Sequence, residues 1–175
     1  MPPTAPLPLS GLTLHVASLL LILLMAVHPA NAESLDFTLP NLDNQMVRLT
    51  DFRGKWVIIN FWASWCTPCI LEMPELQTFS EAHRDRAVVI GVNFENIAPT
   101  EVRTLTQRLA ITFPIVLSGG KLLSGFNLKG LPTTFLISPA GHLANIHLGT
   151  VSTAMLTSWL TNMEEQAGHS GSPPR

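Results

Sequence analysis

Residues 56–69 read WVIINFWASWCTPC. The first seven residues of this stretch, 56–62, form a run that is apolar except for Asn60, which is typical of a strand buried on both faces. After the second cysteine, four apolar residues recur at intervals of three, which predicts one face of a helix: Ile70, Met73, Leu76 and Phe79. The stretch therefore predicts a buried strand that leads through a pair of cysteines into a helix.

The two cysteines, Cys66 and Cys69, are the only ones in the chain. At the start of a helix, residues three apart are neighbours, so the two sulfurs can close a disulfide with little backbone movement. Free N–H groups and the helix dipole favour the thiolate of Cys66 and lower its pKa below the ordinary value of roughly 8.5. We therefore expect Cys66 to be the exposed nucleophile and Cys69 the more buried resolving cysteine, with Thr67-Pro68 setting the turn between them.

Two other interpretations of the cysteine pair remain open. A structural disulfide that spans only two intervening residues closes too small a loop to stabilise the fold much. A metal site needs two more ligands, and the nearest histidine in sequence is His83. Redox chemistry is favoured, because a CxxC pair between a strand and a helix is a specific signal.

The rest of the chain predicts an α/β fold. Two short strands around a turn are expected within residues 36–50, and further strands at 87–94, 113–117, 133–137 and 143–148. Helices are expected to begin at Pro99 and after Ser152, and residues 121–126 are expected to form one helical turn. This succession of strands and helices predicts a central mixed β-sheet flanked by helices on both faces, with an added N-terminal β-hairpin.

Composition excludes several classes of protein. The chain has 175 residues, enough for one domain with a sizeable core. Hydrophobic residues make up 46% and charged residues 13%, and this apolar content is too high for a polyacidic or disordered chain. The net charge is −2, so the chain lacks the clustered cations that nucleic-acid binding requires, and no nucleic-acid partner is expected.

Residues 1–32 contain no Asp, Glu, Lys or Arg and read as a targeting segment. Their apolar run, residues 16–27, is shorter than the roughly 20 residues that span a bilayer, and Ala30-Asn31-Ala32 after it suits a signal peptidase. Because no Lys or Arg precedes the run, an uncleaved membrane anchor and a buried helix of the domain remain alternatives. We expect cleavage after Ala32, a periplasmic or otherwise exported domain over residues 33–167, and a disordered tail over residues 168–175.

Three segments carry a family resemblance: FWASWCTPC at residues 61–69, GLPTTFLI at 130–137, and DFTLPNLDNQMVRLTDFRGK at 36–55. Over residues 35–150 the chain resembles the exported TlpA/ResA branch of the thioredoxin superfamily. The resemblance implies a thioredoxin-like fold for the domain at 33–167. It also implies a disulfide oxidoreductase that uses Cys66 and Cys69.

The same resemblance assigns residues that contact the substrate. Leu131-Pro132 matches the cis-proline loop beside the cysteine pair, where a cis bond turns the backbone of Leu131 toward the incoming chain. Trp65 is expected to cover the disulfide, and it lines the substrate surface together with Thr67 and Pro68.

Glu72 matches the acidic residue that this branch carries three positions after the second cysteine. The resemblance implies that Glu72 exchanges a proton with Cys69 through a water. The alternative is a solvated carboxylate that suits the helix dipole. Thioredoxin itself has a buried Asp at the position of Asn60, and because an amide cannot titrate, Glu72 becomes the substitute for it.

Membership of this branch implies a disulfide reductase that is reduced again by a membrane electron donor of the DsbD or CcdA type. The implied clients are haem-attachment cysteines of apocytochromes c or cysteines of copper-delivery proteins. No cofactor is expected beyond the redox-active disulfide. The alternative functions are a soft-metal chaperone that binds copper through the same two thiolates, and a peroxidase, which the CxxC pair disfavours.

Overall fold

The computed structural model of the chain describes residues 35–170. The targeting segment at residues 1–32 and the last five residues of the expected tail lie outside the described residues. Within residues 35–170, no helix combines the length and the apolar character needed to cross a bilayer.

Two sheets and three helices make up the described part. An antiparallel pair comprises β1 (Thr38–Pro40) and β2 (Met46–Arg48), followed by a 3-10 turn at Leu49–Phe52. The main sheet contains β3 (Trp56–Trp62), β4 (Ala87–Asn93), β5 (Ile115–Leu117), β6 (Thr133–Ile137) and β7 (Leu143–Leu148). The helices are α1 (Thr67–Ala82), α2 (Pro99–Arg108) and α3 (Thr153–Ser170). This is the element order predicted from the sequence, including the N-terminal hairpin.

The main sheet has the order β5-β4-β3-β6-β7, so the strand that leads to the cysteines is its centre. Strand β3 pairs in parallel with β4 and antiparallel with β6, and all seven of its residues are buried. A strand covered on both faces favours apolar side chains, which explains why six of its seven residues are apolar, with Asn60 as the one polar exception. The carboxyl end of β3, which leads to the cysteines, therefore lies midway between the two outer strands of the sheet.

The three helices contribute to one hydrophobic cluster. Met73 of α1, Val102 of α2 and Leu156 of α3 belong to the same cluster as Ile58 and Trp62 of β3. The expectation of helices on both faces was therefore wrong. The connections from β3 to β4 and from β4 to β5 step in the same direction across the sheet, and right-handed crossovers then place α1 and α2 on the same side.

The opposite face of the sheet is covered by the N-terminal segment. Val57, Ile59 and Phe61 of β3 belong to a second cluster with Leu39 and Leu49, which come from the hairpin and the 3-10 turn. The added hairpin thus takes the place of helices on this face and buries the side chains that alternate with the first cluster.

Two local expectations differ from the structure. Residues 121–126 form no helix; an isolated turn lies at Ser124-Gly125, where Gly125 has a φ of 80° that a right-handed helix does not use. Helix α3 continues to Ser170, three residues into the expected tail. Gly168 retains its backbone N–H, and one glycine in a final turn costs only about 1 kcal/mol, so the helix does not stop there.

Replacing Gly91 by alanine should destabilise the fold by about 1–3 kcal/mol, because the added methyl group overpacks the core. Gly91 lies opposite Asn60 in the register of β3 and β4. A Cβ atom there would lie 2.7 Å from Ile115 Cδ1 and 3.1 Å from both Phe113 Cε2 and Trp62 Nε1. Urea denaturation followed by circular dichroism measures the change in the free energy of unfolding.

Gly130→Ala is the matched control for this prediction. A Cβ atom at Gly130 would meet only Leu148 Cδ1, at 3.4 Å, and Gly130 is not among the glycines with a positive φ. We expect this variant to unfold within about 1 kcal/mol of the wild type. Equal stability of the two alanine variants would contradict the overpacking argument.

Candidate active site

The cysteine pair lies just after the end of β3, at the start of α1. Cys66 is the N-cap of α1, with extended backbone angles (φ −87°, ψ 93°), and Thr67 and Pro68 occupy the first turn. The N–H of Cys66 donates to the carbonyl of Ala63 at 3.1 Å, which tightens the turn after the strand. The first-turn N–H groups of a helix have no partner within the helix, so this end of α1 favours a negative charge at Cys66.

Cys66 and Cys69 form a disulfide, with their Cα atoms 5.3 Å apart. Cys66 is 5% exposed and Cys69 is 0% exposed. Cys69 is the more deeply buried of the two, as expected, but Cys66 is itself buried, which corrects the expectation of an exposed sulfur. The disulfide draws the Cys66 side chain toward Cys69 in the first turn, so only a small part of it reaches the surface.

Glu72 is buried and accepts hydrogen bonds from two distant parts of the chain. Its side chain lies one helical turn after Cys69 and is 3% exposed. The Asn60 Nδ2 donates to Glu72 Oε1 at 2.8 Å, and the backbone N–H of Val151 donates to Glu72 Oε2 at 2.7 Å. The solvated carboxylate that the sequence left open as an alternative is therefore excluded.

Burial changes the acidity of Glu72. Desolvation raises its pKa to about 7, and the hydrogen bonds from Val151 and Asn60 oppose this rise without cancelling it. None of the ion pairs within residues 35–170 involves Glu72. A carboxyl group with a pKa near neutrality can both accept and return a proton under physiological conditions.

Asn60 has a larger role than the sequence suggested. The sequence marks it only as a residue that cannot titrate, but its Nδ2 bridges Glu72 and Thr134 Oγ1, the latter at 3.0 Å. Its Oδ1 is buried and has no hydrogen-bond partner within the described residues. Asn60 and Glu72 thus form one polar unit behind Cys69. Nothing in the local sequence points to Val151 or Thr134, because both contacts join residues more than 70 positions apart.

The loop before β6 lies at the same edge of the sheet as the cysteines. The Leu131–Pro132 bond is cis, as the resemblance implied. Thr133 pairs with Phe61, so Pro132 lies beside the carboxyl end of β3. Leu131 packs against the cluster that contains both cysteines, and the Gly149 N–H donates to the Pro132 carbonyl at 2.9 Å.

Apolar side chains are exposed beside the disulfide. Trp65 is 69% exposed, so most of its indole faces solvent; whether it also covers the sulfurs stays a prediction. Thr67 and Pro68 are exposed as well. Pro68 and Leu71 line a groove of about 320 Å³ whose other walls are Glu72, Glu75, Thr150 and Val151. Leu71 is exposed too, and sequence reasoning did not single it out, although a leucine beside the CxxC pair is an available signal.

Within residues 35–170, no cluster of three or more His, Cys, Asp or Glu side chains is arranged to hold a metal ion. The soft-metal alternative would therefore rest on the two cysteines and on ligands brought by a partner.

Comparisons with known proteins agree with this geometry. A model described as the AhpC/TSA family matches residues 30–146. Thioredoxin-like protein YneN of Bacillus subtilis is 34% identical over 119 residues, covering 67% of this chain and 70% of that protein. Thiol-disulfide oxidoreductase ResA of Geobacillus thermodenitrificans is 37% identical over 119 residues, covering 67% and 68%. The crystal structure of StoA from Bacillus subtilis aligns with a TM-score of 0.63 and 29% identity, covering 74% of this chain and 98% of that one.

The fold and the cysteine pair agree with these matches. A mixed five-stranded sheet with three helices and an added N-terminal hairpin is the thioredoxin-like architecture that the sequence implied. The Cys66–Cys69 disulfide supplies the redox centre that such enzymes require. The chain therefore belongs to the AhpC/TSA family of thioredoxin-like proteins, and it is a thiol-disulfide oxidoreductase of the ResA and StoA type.

Proposed function

We propose that this enzyme reduces protein disulfides outside the cytosol, with Cys66 as the attacking and Cys69 as the resolving cysteine. The observation that carries the proposal is the placement of the pair: Cys66 caps α1 and keeps some exposure, whereas Cys69 is fully buried behind it. Only the first position offers both access to a partner and the free amides of a helix start.

The reaction transfers two electrons to the substrate. The Cys66 thiolate attacks one sulfur of the substrate disulfide, forms a mixed disulfide and releases the other substrate sulfur as a thiolate. The Cys69 thiolate then attacks Cys66 Sγ, which breaks the mixed disulfide and releases the second substrate thiolate. The enzyme ends as the Cys66–Cys69 disulfide, and the substrate ends as a dithiol once its thiolates are protonated.

Glu72 is proposed to accept the proton of Cys69 before the second attack. Its place one turn after Cys69 on the buried side of α1 and its pKa of about 7 suit this task. Asn60 and Val151 hold the carboxylate in place through their hydrogen bonds.

The substrate is proposed to lie across the cis-proline loop. Leu131 and Pro132 would present backbone groups to an extended chain, and Trp65, Thr67 and Pro68 would contact it from the other side of the disulfide. The exposure of Trp65, Thr67 and Pro68 supports this assignment.

The location and partners are proposed from the targeting segment and the relatives. The charge-free segment at residues 1–32 supports export or membrane anchoring, so a membrane donor of the DsbD or CcdA type would return the protein to its dithiol form. The proposed clients are apocytochromes c or copper-delivery proteins. No organic cofactor takes part in the proposed cycle, because the cysteine pair holds the electrons.

The reduction potential of the Cys66–Cys69 pair tests the direction of electron flow. We expect a value at or below about −200 mV, toward the range of thioredoxins and glutaredoxins, from equilibration with glutathione or dithiothreitol buffers. A value above that limit, toward the roughly −120 mV of a strong oxidant, would contradict the reductase assignment.

A further inference from the structure

A second buried carboxylate lies at the edge of the sheet where the cysteines begin. Glu95 follows β4 and is 9% exposed. Its Oε1 accepts hydrogen bonds from the N–H of Ser64 at 2.5 Å and from Asn93 Nδ2 at 2.8 Å. Its Oε2 accepts one from Ser64 Oγ at 2.8 Å. The backbone N–H and the hydroxyl group of Ser64 therefore donate to the two carboxylate oxygens of Glu95, one to each.

The polar contacts of Glu95 are directed mainly at Ser64. No ion pair within residues 35–170 includes Glu95. Two of the three hydrogen bonds that its carboxylate accepts come from Ser64, and the third comes from Asn93. The contact with Ser64 is therefore the principal polar interaction of this side chain.

Ser64 lies in the short connection between β3 and Cys66. The carbonyl of Ala63, on one side of Ser64, accepts the N–H of Cys66 at 3.1 Å. The N–H of Phe94 donates to the carbonyl of Trp62 at 2.8 Å, so the ends of β3 and β4 are already joined just before this point. The contact between Glu95 and Ser64 adds a second link between the segments that follow β3 and β4. This link lies two residues before Cys66, the N-cap of α1.

We propose that Glu95 is a positioning residue: by binding both donors of Ser64, it holds the connection from β3 and keeps Cys66 at the amino end of α1. The inference rests on the proposed function, in which Cys66 attacks the substrate. Glu95 touches neither the substrate nor a sulfur in this account and acts only through Ser64.

The positioning role and a simple charge effect have opposite consequences for Cys66. If Glu95 only repelled the thiolate through space, removing its charge would lower the pKa of Cys66. If Glu95 holds Cys66 against the helix start, releasing Ser64 lets the sulfur move away from the amides, and the pKa of Cys66 rises. The sign of the shift therefore separates the two roles.

The test measures the alkylation rate of Cys66 by iodoacetamide over a pH series. All proteins carry Cys69→Ser, so that only Cys66 reacts, and the variants add Glu95→Gln or Ser64→Ala. For Glu95→Gln we expect the midpoint to rise by at least about 0.5 pH unit, which means about threefold less thiolate below the midpoint. Ser64→Ala should shift the midpoint in the same direction but less, because the backbone N–H of residue 64 still binds the carboxylate.

Ser118→Ala is the matched control. Ser118 is buried and lines a groove together with Glu95, but its Oγ has no hydrogen-bond partner within the described residues. Its removal should leave the midpoint of Cys66 unchanged.

An unchanged or lowered midpoint in Glu95→Gln would overturn the inference. If circular dichroism shows that Glu95→Gln does not fold, Ser64→Ala decides, and an unchanged midpoint there overturns it equally. The starting Cys69→Ser protein tests the proposed function separately: an ordinary cysteine midpoint near about 8.5 counts against Cys66 as an activated nucleophile, whatever the variants do.

Discussion

Replacing Cys69 by serine should turn the enzyme into a trap that stays covalently bound to its substrate. Cys66 can still attack a disulfide, but no second thiolate is present to resolve the mixed disulfide. Replacing Cys66 by serine should remove the first step, so that insulin reduction falls to the rate seen without protein. Non-reducing gels and mass spectrometry of a mixture with a model protein disulfide measure both results.

The two variants are controls for each other, because each removes one sulfur from the same helix turn. Both should fold, since a serine side chain fits either position and the disulfide closes a loop of only two intervening residues. Mixed disulfides that accumulate on Cys69 in the Cys66→Ser protein would reverse the assigned roles. If the wild-type protein binds copper(I) tightly but does not reduce insulin, the soft-metal alternative would be supported instead.

The strongest sequence signals produced the most accurate parts of the fold. Residues 56–62 favoured a buried strand, because a seven-residue run that is apolar except for Asn60 is too short for a typical helix and is bounded by turn residues. The cysteine spacing then placed the redox pair at the helix start, which is where the structure has it. Both inferences depend on neighbours in sequence, and local patterns report such relationships directly.

The parts that the sequence could not supply depend on distant contacts. The sequence alone left Glu72 either solvated or buried, because its surroundings are formed by β3 and by the segment before α3. Its bond to Val151 joins residues 79 positions apart, and the bond between Glu95 and Ser64 joins residues 31 positions apart. The position of the helices on one face likewise follows from strand order, which no single segment encodes.

Glu72→Gln should remove a pH dependence of stability that the wild type shows between pH 4.5 and 7. The folded protein holds the Glu72 proton up to a pKa of about 7, whereas the unfolded chain releases it near 4.5. The contribution of Glu72 is therefore fully present below pH 4.5 and is lost as the pH rises through 7. From pH 4.5 to 8 the wild type should lose about 3 kcal/mol more unfolding free energy than Glu72→Gln, measured by urea denaturation.

The same substitution should slow the second step of the reaction by about 10²-fold or more, because glutamine cannot accept the Cys69 proton. The mixed disulfide with substrate should then accumulate transiently, which quenched-flow experiments measure. The pH profile of its resolution rate should lose the inflection near 7 that Glu72 causes.

Glu75→Gln is the matched control: Glu75 lies one turn later and is exposed, and hydrogen bonds from Thr153 lower its pKa. It should alter neither the inflection nor the resolution rate. Parallel stability curves for the wild type and Glu72→Gln, together with an unchanged resolution rate, would show that the buried carboxyl group is structural and that Cys69 loses its proton by another route.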